Sequence, residues 1–385
     1  MSPRWATTGV FVVNGAAIGT WVAQIPWIQD RFDLSKSAMG LVIVGMSIAV
    51  ILAFPVAGQA IVRHGSERMV WVGGIGTALA VNLPVLAPAP LLVAAGLFVL
   101  GASSATQDVS MNSHGVHVEK QLGKPIMSSL HAGWAFGGMG GAAFVAACNA
   151  VGVDPRVSVA IASALMVALL FATASRIGHG SAAEGDDAPS FALPSRGVVL
   201  LAILCLLIMV TEGAMADWGG IYLRQDLGAS AALAALAYSF FTAGMTVGRL
   251  VGDAINHRIG SERLMRGGSA LAGLALGAML LLAAPGVALV GFFLVGLGVA
   301  NGVPLVFSAA GHAPGRESGP NIAAVSSMGS IGFLAGPPFI GFLAQATSLP
   351  LALATLCVGL AVVTLAGRAV GTAHETGVPQ PAPAR

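Results

Sequence analysis

The sequence is short of charge. Asp, Glu, Lys and Arg make up 9% of its 385 residues, against about 25% in an ordinary soluble domain, which excludes a solvated globular fold. A formal net charge of +2 supplies no basic footprint for nucleic acid. Cysteine is scarce as well: Cys148, Cys205 and Cys357 lie in separate apolar runs, with no spacing for a disulfide framework or a metal, so they read as small core residues. There is no P-loop, and GGIG from Gly73 and GLG from Gly296 sit inside apolar runs without the strand and turn that a nucleotide fingerprint needs. No cofactor is expected. No nucleophile stands beside a base at a recognisable spacing, so the chain does not read as an enzyme.

What the chain has in abundance is hydrocarbon. Hydrophobic residues make up 56%, arranged in runs of about 20, the length needed to cross a bilayer core. Twelve spans are predicted, at 5–28, 39–62, 69–87, 90–112, 127–150, 156–175, 197–221, 231–256, 264–284, 286–309, 322–345 and 349–369, giving an all-α polytopic membrane protein. The 52 glycines suit helices that touch through small residues, because lipid provides no hydrophobic drive to bring them together. Gly336, Pro337 and Pro338 predict a kink in the eleventh span. The first span carries Asn14 and Gln24 and no small-residue cleavage site, so it reads as a retained helix.

An internal repeat organises these spans. RHGSERM from Arg63 returns as RIGSERL from Arg258, 195 positions later, and RFDLSKSA from Arg31 returns as RQDLGASA from Arg224, 193 later. Ser128 to Leu130 with Gly138 returns as Ser326 to Met328 with Gly336, 198 later. The offset covers six spans, an even number, so the halves share one orientation as parallel six-helix repeats. The boundaries read as a first bundle at 1–175, a polar linker at 176–196, a second bundle at 197–372 and a disordered tail at 373–385. Arg4, Arg63, Arg68, Lys120, Lys124, Arg176, Arg196, Arg258, Arg263, Arg266, Arg316, Arg368 and Arg385 fall on the side of the N-terminus, against Arg31, Lys36, Arg156 and Arg224 opposite. The positive-inside rule then puts both termini in the cytoplasm and the protein in the cytoplasmic membrane.

The run from Gln107 to Gly141 gathers an acid, histidines and an amide inside this oily chain. Asp108 in hydrocarbon costs several kcal/mol unless it faces a partner or water, which makes it a functional candidate. A structural hydrogen bond from Asp108 to His131 is the plainer alternative. Ser104, Asp108 and Asn112 fall on one helix face, a stripe that must look toward protein or water. His114, His117 and Glu119 have spacing that a metal can use, but at a helix end they read as solvated polar residues.

These features resemble the major facilitator superfamily. The likeness rests on GQAIVRHGSER from Gly58 and GRLVGDAINHRIGSER from Gly248, which look like its glycine, acid and arginine signature; Val62 stands where the family usually has an aspartate. Within it the chain is similar to bacterial inner-membrane permeases related to the fucose permease group. DVSMNSHGVHVE, GKPIMSSLHAGW and EGAMADWGGIYLR carry the likeness to a subgroup of these permeases. Asp108 and Asn112 match the acid and amide of that group's fourth helix, whereas Val22 stands where its first-helix acid would be. The resemblance implies a cavity lined by the first, fourth, seventh and tenth spans, and so gives weight to Asn14, Trp21 and Gln24, to Asn112, to Glu212, Asp217 and Trp218, and to Asn301, Ser308 and His312. Facing indoles with amides and carboxylates suit a small polar or sugar-like solute, though Trp218 near a helix end is also where an interfacial belt residue would sit.

The reading is a secondary transporter that rocks one half against the other, functional as a monomer in the lipid bilayer, with a small-molecule substrate and protons as partners. Asp108, His131 and Glu212 are the candidates for proton coupling. Asn14, Trp21, Gln24, Asn112, Asp217, Trp218 and Asn301 are the candidates for solute binding. Arg63, Arg68, Arg249, Asp253, Arg258 and Arg263 are the candidates for gating, with Arg249 and Asp253 spaced i, i+4. Uptake competes with efflux of metabolites or drugs, and a transporter-like sensor without net flux is the reading from a different class.

Overall fold

In the computed structural model, residues 2–122, 126–177, 198–313 and 318–371 are described. Most of the linker and the tail therefore lie outside the described residues, as do Lys124, Arg196, Arg316 and Arg385. Among the described residues there is no strand. The first half contains α1 (Pro3–Phe32), α2 (Lys36–His64), α3 (Ser66–Ala80), the short α4 (Asn82–Leu86), α5 (Pro90–Leu122), α6 (Met127–Ala150) and α7 (Pro155–Ala174). The second contains α8 (Val199–Ile221), a π-helical turn (Tyr222–Asp226), α9 (Ala231–Ile259), α10 (Ser261–Leu282), α11 (Pro285–Val299), α12 (Gly302–His312), α13 (Ser318–Ala346) and α14 (Leu349–Ala366). Eleven of the helical segments are long and apolar enough to span a membrane, and α6, 24 residues long, packs along them as the twelfth. The third span joins α3 and α4, and the tenth joins α11 and α12. Chain ends therefore share one face, called here the terminal face; the opposite face is the distal one.

One feature differs from the sequence expectation. The tenth span is not one helix: it breaks at Ala300 and Asn301, where Pro304, four residues on, has no N–H for the Ala300 carbonyl and its ring crowds that group. The eleventh, α13, holds Pro337 and Pro338 within one continuous helical segment.

The repeat is visible in packing and in backbone detail. In the first half α1 packs on α6 and α7, and α5 on α2 and α3; in the second α8 packs on α13 and α14, and α11 on α9 and α10. Gly65 and Gly260 turn the equivalent short loops with φ of 82° and 83°, a left-handed conformation that glycine adopts without a steric penalty. Ser35 caps α2 by accepting from the Ala38 N–H at 3.2 Å, and Ser230 caps α9 by accepting from the Leu233 N–H at 3.3 Å. Such caps satisfy a helix-start donor that lipid cannot.

Within each half the helices meet backbone to backbone. A Cβ on Gly19 would overlap the carbonyl of Gly138, and one on Gly141 would overlap that of Ala16, so α1 and α6 approach as closely as their chains allow. In the second half Gly244 and Gly296 make the matching approach between α9 and α11. This is small-residue packing, in which van der Waals contact replaces the hydrophobic effect.

The halves meet along two seams, α6 against α9 and α2 against α13. These are equivalent under the repeat, since α2 corresponds to α9 and α6 to α13. On the first seam Ser239 donates to the Met139 carbonyl at 3.1 Å, and Asn149 reaches the Ala231 carbonyl at 3.5 Å, fixing an antiparallel register. On the second, a Cβ on Gly40 would come within 2.9 Å of the Pro337 carbonyl. Two ion pairs cross between the halves at the distal face: Arg224 with Asp30 at 3.3 Å and Lys36 with Asp226 at 3.7 Å. Gln225 adds a bond to Asp30 at 3.4 Å. Three consecutive residues of the π-helical turn thus engage the first half.

Two outcomes follow from this packing. Gly19→Leu forces α1 from α6 and costs ~3 kcal/mol or more, the upper range for overpacking, seen as a lowered Tm of detergent-purified protein, whereas Gly277→Leu, with open space beside it, leaves Tm unchanged. Asp30→Lys removes a partly exposed pair worth at most about 1 kcal/mol after screening, so amide exchange over residues 222–230 accelerates about fivefold, and Asp30→Lys with Arg224→Asp restores the slower rate.

Candidate functional site

The polar groups of the interior fall into three sets. The first is an amide network around Asn14 on α1. Its Nδ2 donates to the Ser104 Oγ at 3.2 Å and the Gln107 Oε1 at 3.1 Å, and its Oδ1 accepts from the Trp134 Nε1 at 2.8 Å. Gln107 returns a bond from its Nε2 to the Val10 carbonyl at 3.2 Å. Asn14 thus ties α1 to α5 and α6, with its amide satisfied by the first half alone. Gln24, one face further along, donates to Ser158 on α7 at 3.3 Å, while its buried Oε1 has no partner.

The second set is the acid stripe of α5. Asp108 Oδ1 accepts from the Asn112 Nδ2 at 3.1 Å, and that Nδ2 also reaches the Asp108 carbonyl at 2.9 Å. The pair therefore forms within one helix turn. Asp108 makes no hydrogen bond to His131, so the plainer alternative is not the arrangement found; His131 instead meets Phe11 edge-on, ring centroids 5.4 Å apart. At 1.5 Å per residue Asp108 lies about 27 Å along α5 from the distal end.

The third set belongs to the second half. Glu212 on α8 keeps a buried Oε1 without a hydrogen-bond partner, about 20 Å from the terminal end of its helix. Asp217 is 8% exposed and makes no hydrogen bond or ion pair with any described residue. Arg249 on α9 donates its Nε to the Ala300 carbonyl at 3.4 Å, and Asn301 answers from α12's start by donating to the Gly248 carbonyl at 2.9 Å. The break between α11 and α12 supplies that exchange, because it frees residues 300 and 301 from regular helix. Arg249 stands within electrostatic reach of Glu212, His131 and Tyr238, and Tyr238 within reach of Glu212 and Asp217.

The structure thus separates several residues that the sequence grouped. Trp21 and Trp218 are 1% and 0% exposed, packed inside the bundle. Trp218 lies against Gly341 of α13, with its Nε1 unpartnered, so it is not an interfacial belt residue. Asn14 and Gln24 point into the first half, Asn112 bonds its own helix, and Asn301 holds α9. Arg63, Arg68, Arg258 and Arg263 lie at or near the two equivalent loops of the terminal face, and the side chain of Asp253 lies outside the described residues. His114 corrects the solvated reading: it is buried, shares a 3.4 Å bond with Ser66 and lies 3.1 Å from the Ile177 carbonyl. His117 bonds Gln121 at 2.9 Å, and the side chains of Glu119 and Lys120 lie outside the described residues. Among the described residues no His, Cys, Asp and Glu cluster is arranged to hold a metal.

Gln107, Trp134 and Tyr238 were not singled out in the sequence. Gln107 sits beside Asp108 but on another face, so periodicity discounted it. Tyr238 is one of only two tyrosines, and that rarity in an apolar helix was the available signal.

Comparison with known proteins accounts for the architecture. The Major Facilitator Superfamily profile matches residues 7–319 and 222–385. An uncharacterised MFS-type transporter of Yersinia pestis is 32% identical over 369 residues, covering 96% of this chain and 95% of that one. Among solved structures, a point mutant of the nucleoside transporter NupG superposes with a TM-score of 0.76 at 12% identity, covering 96% of this chain and all of the other. A point mutant of the Escherichia coli fucose:proton symporter FucP gives 0.62 at 15% identity, covering 95% and 98%; likeness at such identity shows the shared fold alone. With a superfamily profile spanning the repeat and a relative matched nearly end to end, the chain belongs to the Major Facilitator Superfamily and is a multi-pass membrane transporter.

Proposed function

We propose that this protein is a proton-coupled secondary transporter that carries a small polar, sugar-like solute across the cytoplasmic membrane, with both termini in the cytoplasm and the monomer as its working unit. One observation carries the reading: among the described residues, acids within the helix bundle make no ion pair. Asp108 is bonded only by Asn112, Glu212 keeps an unpartnered oxygen, and Asp217 has no partner among the described residues. A structural ion pair would have supplied an opposite charge. Groups left in this condition have a reason to gain and lose a proton, since neutralisation removes the cost of the buried charge.

In this reading Asp108 takes a proton when one face is open and gives it up at the other, while solute occupies the space between the halves. His131 and Glu212 are the further titrating groups. The distal bridges of Arg224 and Lys36 support a reading in which the halves are held together on the outer side. Arg63, Arg68, Arg258 and Arg263, with Arg249 and Asp253, are placed to close the terminal side in the alternate state. Uptake is favoured over efflux by the carboxylates of Asp108, Glu212 and Asp217 along the interior, which suit hydroxyl-bearing solutes. The fucose of the fucose:proton symporter FucP and the nucleosides of the nucleoside transporter NupG, both structural neighbours, are compatible with that class.

The test is flux in proteoliposomes with an imposed proton gradient, using labelled sugars, polyols, sugar acids and a lipophilic cation. Wild type should accumulate a polar solute when the outside is acid. Asp108→Asn should lose at least 90% of that accumulation while keeping exchange of solute down its own gradient. Undiminished accumulation by Asp108→Asn removes the coupling role. Movement of the lipophilic cation alone replaces uptake with efflux, and binding without net flux replaces the transporter with a sensor.

A further inference from the structure

The face of α9 that looks across the seam carries Tyr238 and Arg249, three helical turns apart. The antiparallel register set by Ser239 on Met139 and by Asn149 on Ala231 brings the start of α6, with His131, opposite Arg249. Measured along α6 and α9 from their distal ends, His131 and Arg249 lie at about 28 and 27 Å, a common level. The two lie within electrostatic reach of each other. A guanidinium and an imidazole, one from each half, therefore face one another inside the bundle.

Among the described residues neither makes an ion pair with a carboxylate, the side chain of Asp253 lying outside them. Arg249 is half-buried, and its one hydrogen bond is from Nε to the Ala300 carbonyl, so the stem is anchored and the two terminal nitrogens are unengaged among the described residues. No described carboxylate lies within ion-pair distance of it. Glu212 supplies a compensating field from α8 without pairing. His131 is exposed and touches Phe11 through its ring edge. A guanidinium with its fork unengaged, facing a ring N–H donor, is an arrangement that an anion between them would satisfy.

We propose that Arg249 and His131 form a two-sided clamp for an oxyanion of the solute, making the substrate a small polyhydroxylated acid such as a sugar acid. The proposal rests on the transporter reading above and names the substrate class of its site. A carboxylate is planar and accepts two parallel N–H bonds from a guanidinium fork, a match that lysine does not reproduce. His131 adds a donor from the other half, so a bound anion bridges the seam, while hydroxyl groups of the solute are left for the polar side chains around it. A neutral sugar gains none of the charge-assisted bonds.

The experiment is a thermal-shift titration of the purified full chain with matched probes: galactose against galacturonate, glucose against gluconate, and inorganic phosphate. A sugar acid should raise Tm where its neutral partner does not. Arg249→Gln should weaken that response at least tenfold, and Arg249→Lys should recover only part of it, with ligand-free Tm and size-exclusion profile unchanged. If Arg249→Gln does not yield folded protein, His131→Gln carries the test, since that side chain is exposed. Equal stabilisation by neutral partners, no response to either acid, or full response in the variants overturns the clamp. A response to phosphate alone overturns the sugar-acid assignment. Neutral-sugar flux in proteoliposomes, unaffected by Arg249→Gln, would sink the clamp and leave the transporter reading standing, whereas absence of flux for every probe would remove both.

Discussion

Hydrocarbon offers no hydrogen bonds, and nearly every feature of this structure answers that constraint. Backbone donors and acceptors must be satisfied within each segment, which restricts a spanning chain of this kind to helices. Helices already surrounded by apolar groups gain little from hydrophobic attraction to one another, so cohesion depends on close contact. The glycines of α1, α6, α9 and α11 provide it by letting one backbone touch the next. The same constraint makes polar side chains conspicuous, since each must find a partner or pay the cost of lacking one.

The polar groups divide along that line. Asn14, Gln107, Ser104 and Trp134 bond one another across three helices of the first half, which reads as construction: their bonding is used up in holding helices together. Glu212, Asp217 and the fork of Arg249 are not used up in this way. They concentrate in the second half, on α8 and α9, near the seam where the halves meet. Bonded construction in the first half, with Asp108 and His131 left outside it, opposite these groups of the second is a workable division for two bodies that must move against each other around a solute.

The seam itself is asymmetric between the faces described. At the distal face the π-helical turn presents Arg224, Gln225 and Asp226 to the first half. A π turn carries one more residue than an α turn would, altering which side chains face outward, and such turns recur at functional sites. Its counterpart at the end of α1 is regular helix finished by Asp33 with φ of 48°. The repeats therefore differ at the point where they grip each other, and weak, solvent-accessible ion pairs suit contacts that must separate.

The sequence by itself determined the architecture. Runs of about 20 apolar residues, paired motifs at 193 to 198 positions and the crowding of glycine are local properties, and hydrocarbon enforces them segment by segment. Asp108 and Glu212 were legible because a single charge in an oily run is costly wherever its helix packs. What only the tertiary structure decided is which polar groups meet. Periodicity placed Asp108 one turn from Asn112, but it could not show that His131 turns to Phe11 and Arg249, or that Gln24 bonds α7. Trp21 and Trp218 are buried in the bundle, a placement that periodicity alone does not give, because helix rotation is set by backbone contact at distant glycines. Tyr238, Gln107 and Trp134 gained their roles from neighbours about a hundred residues away in the chain. Pairing across helices is a property of register and approach, and no single segment carries that information.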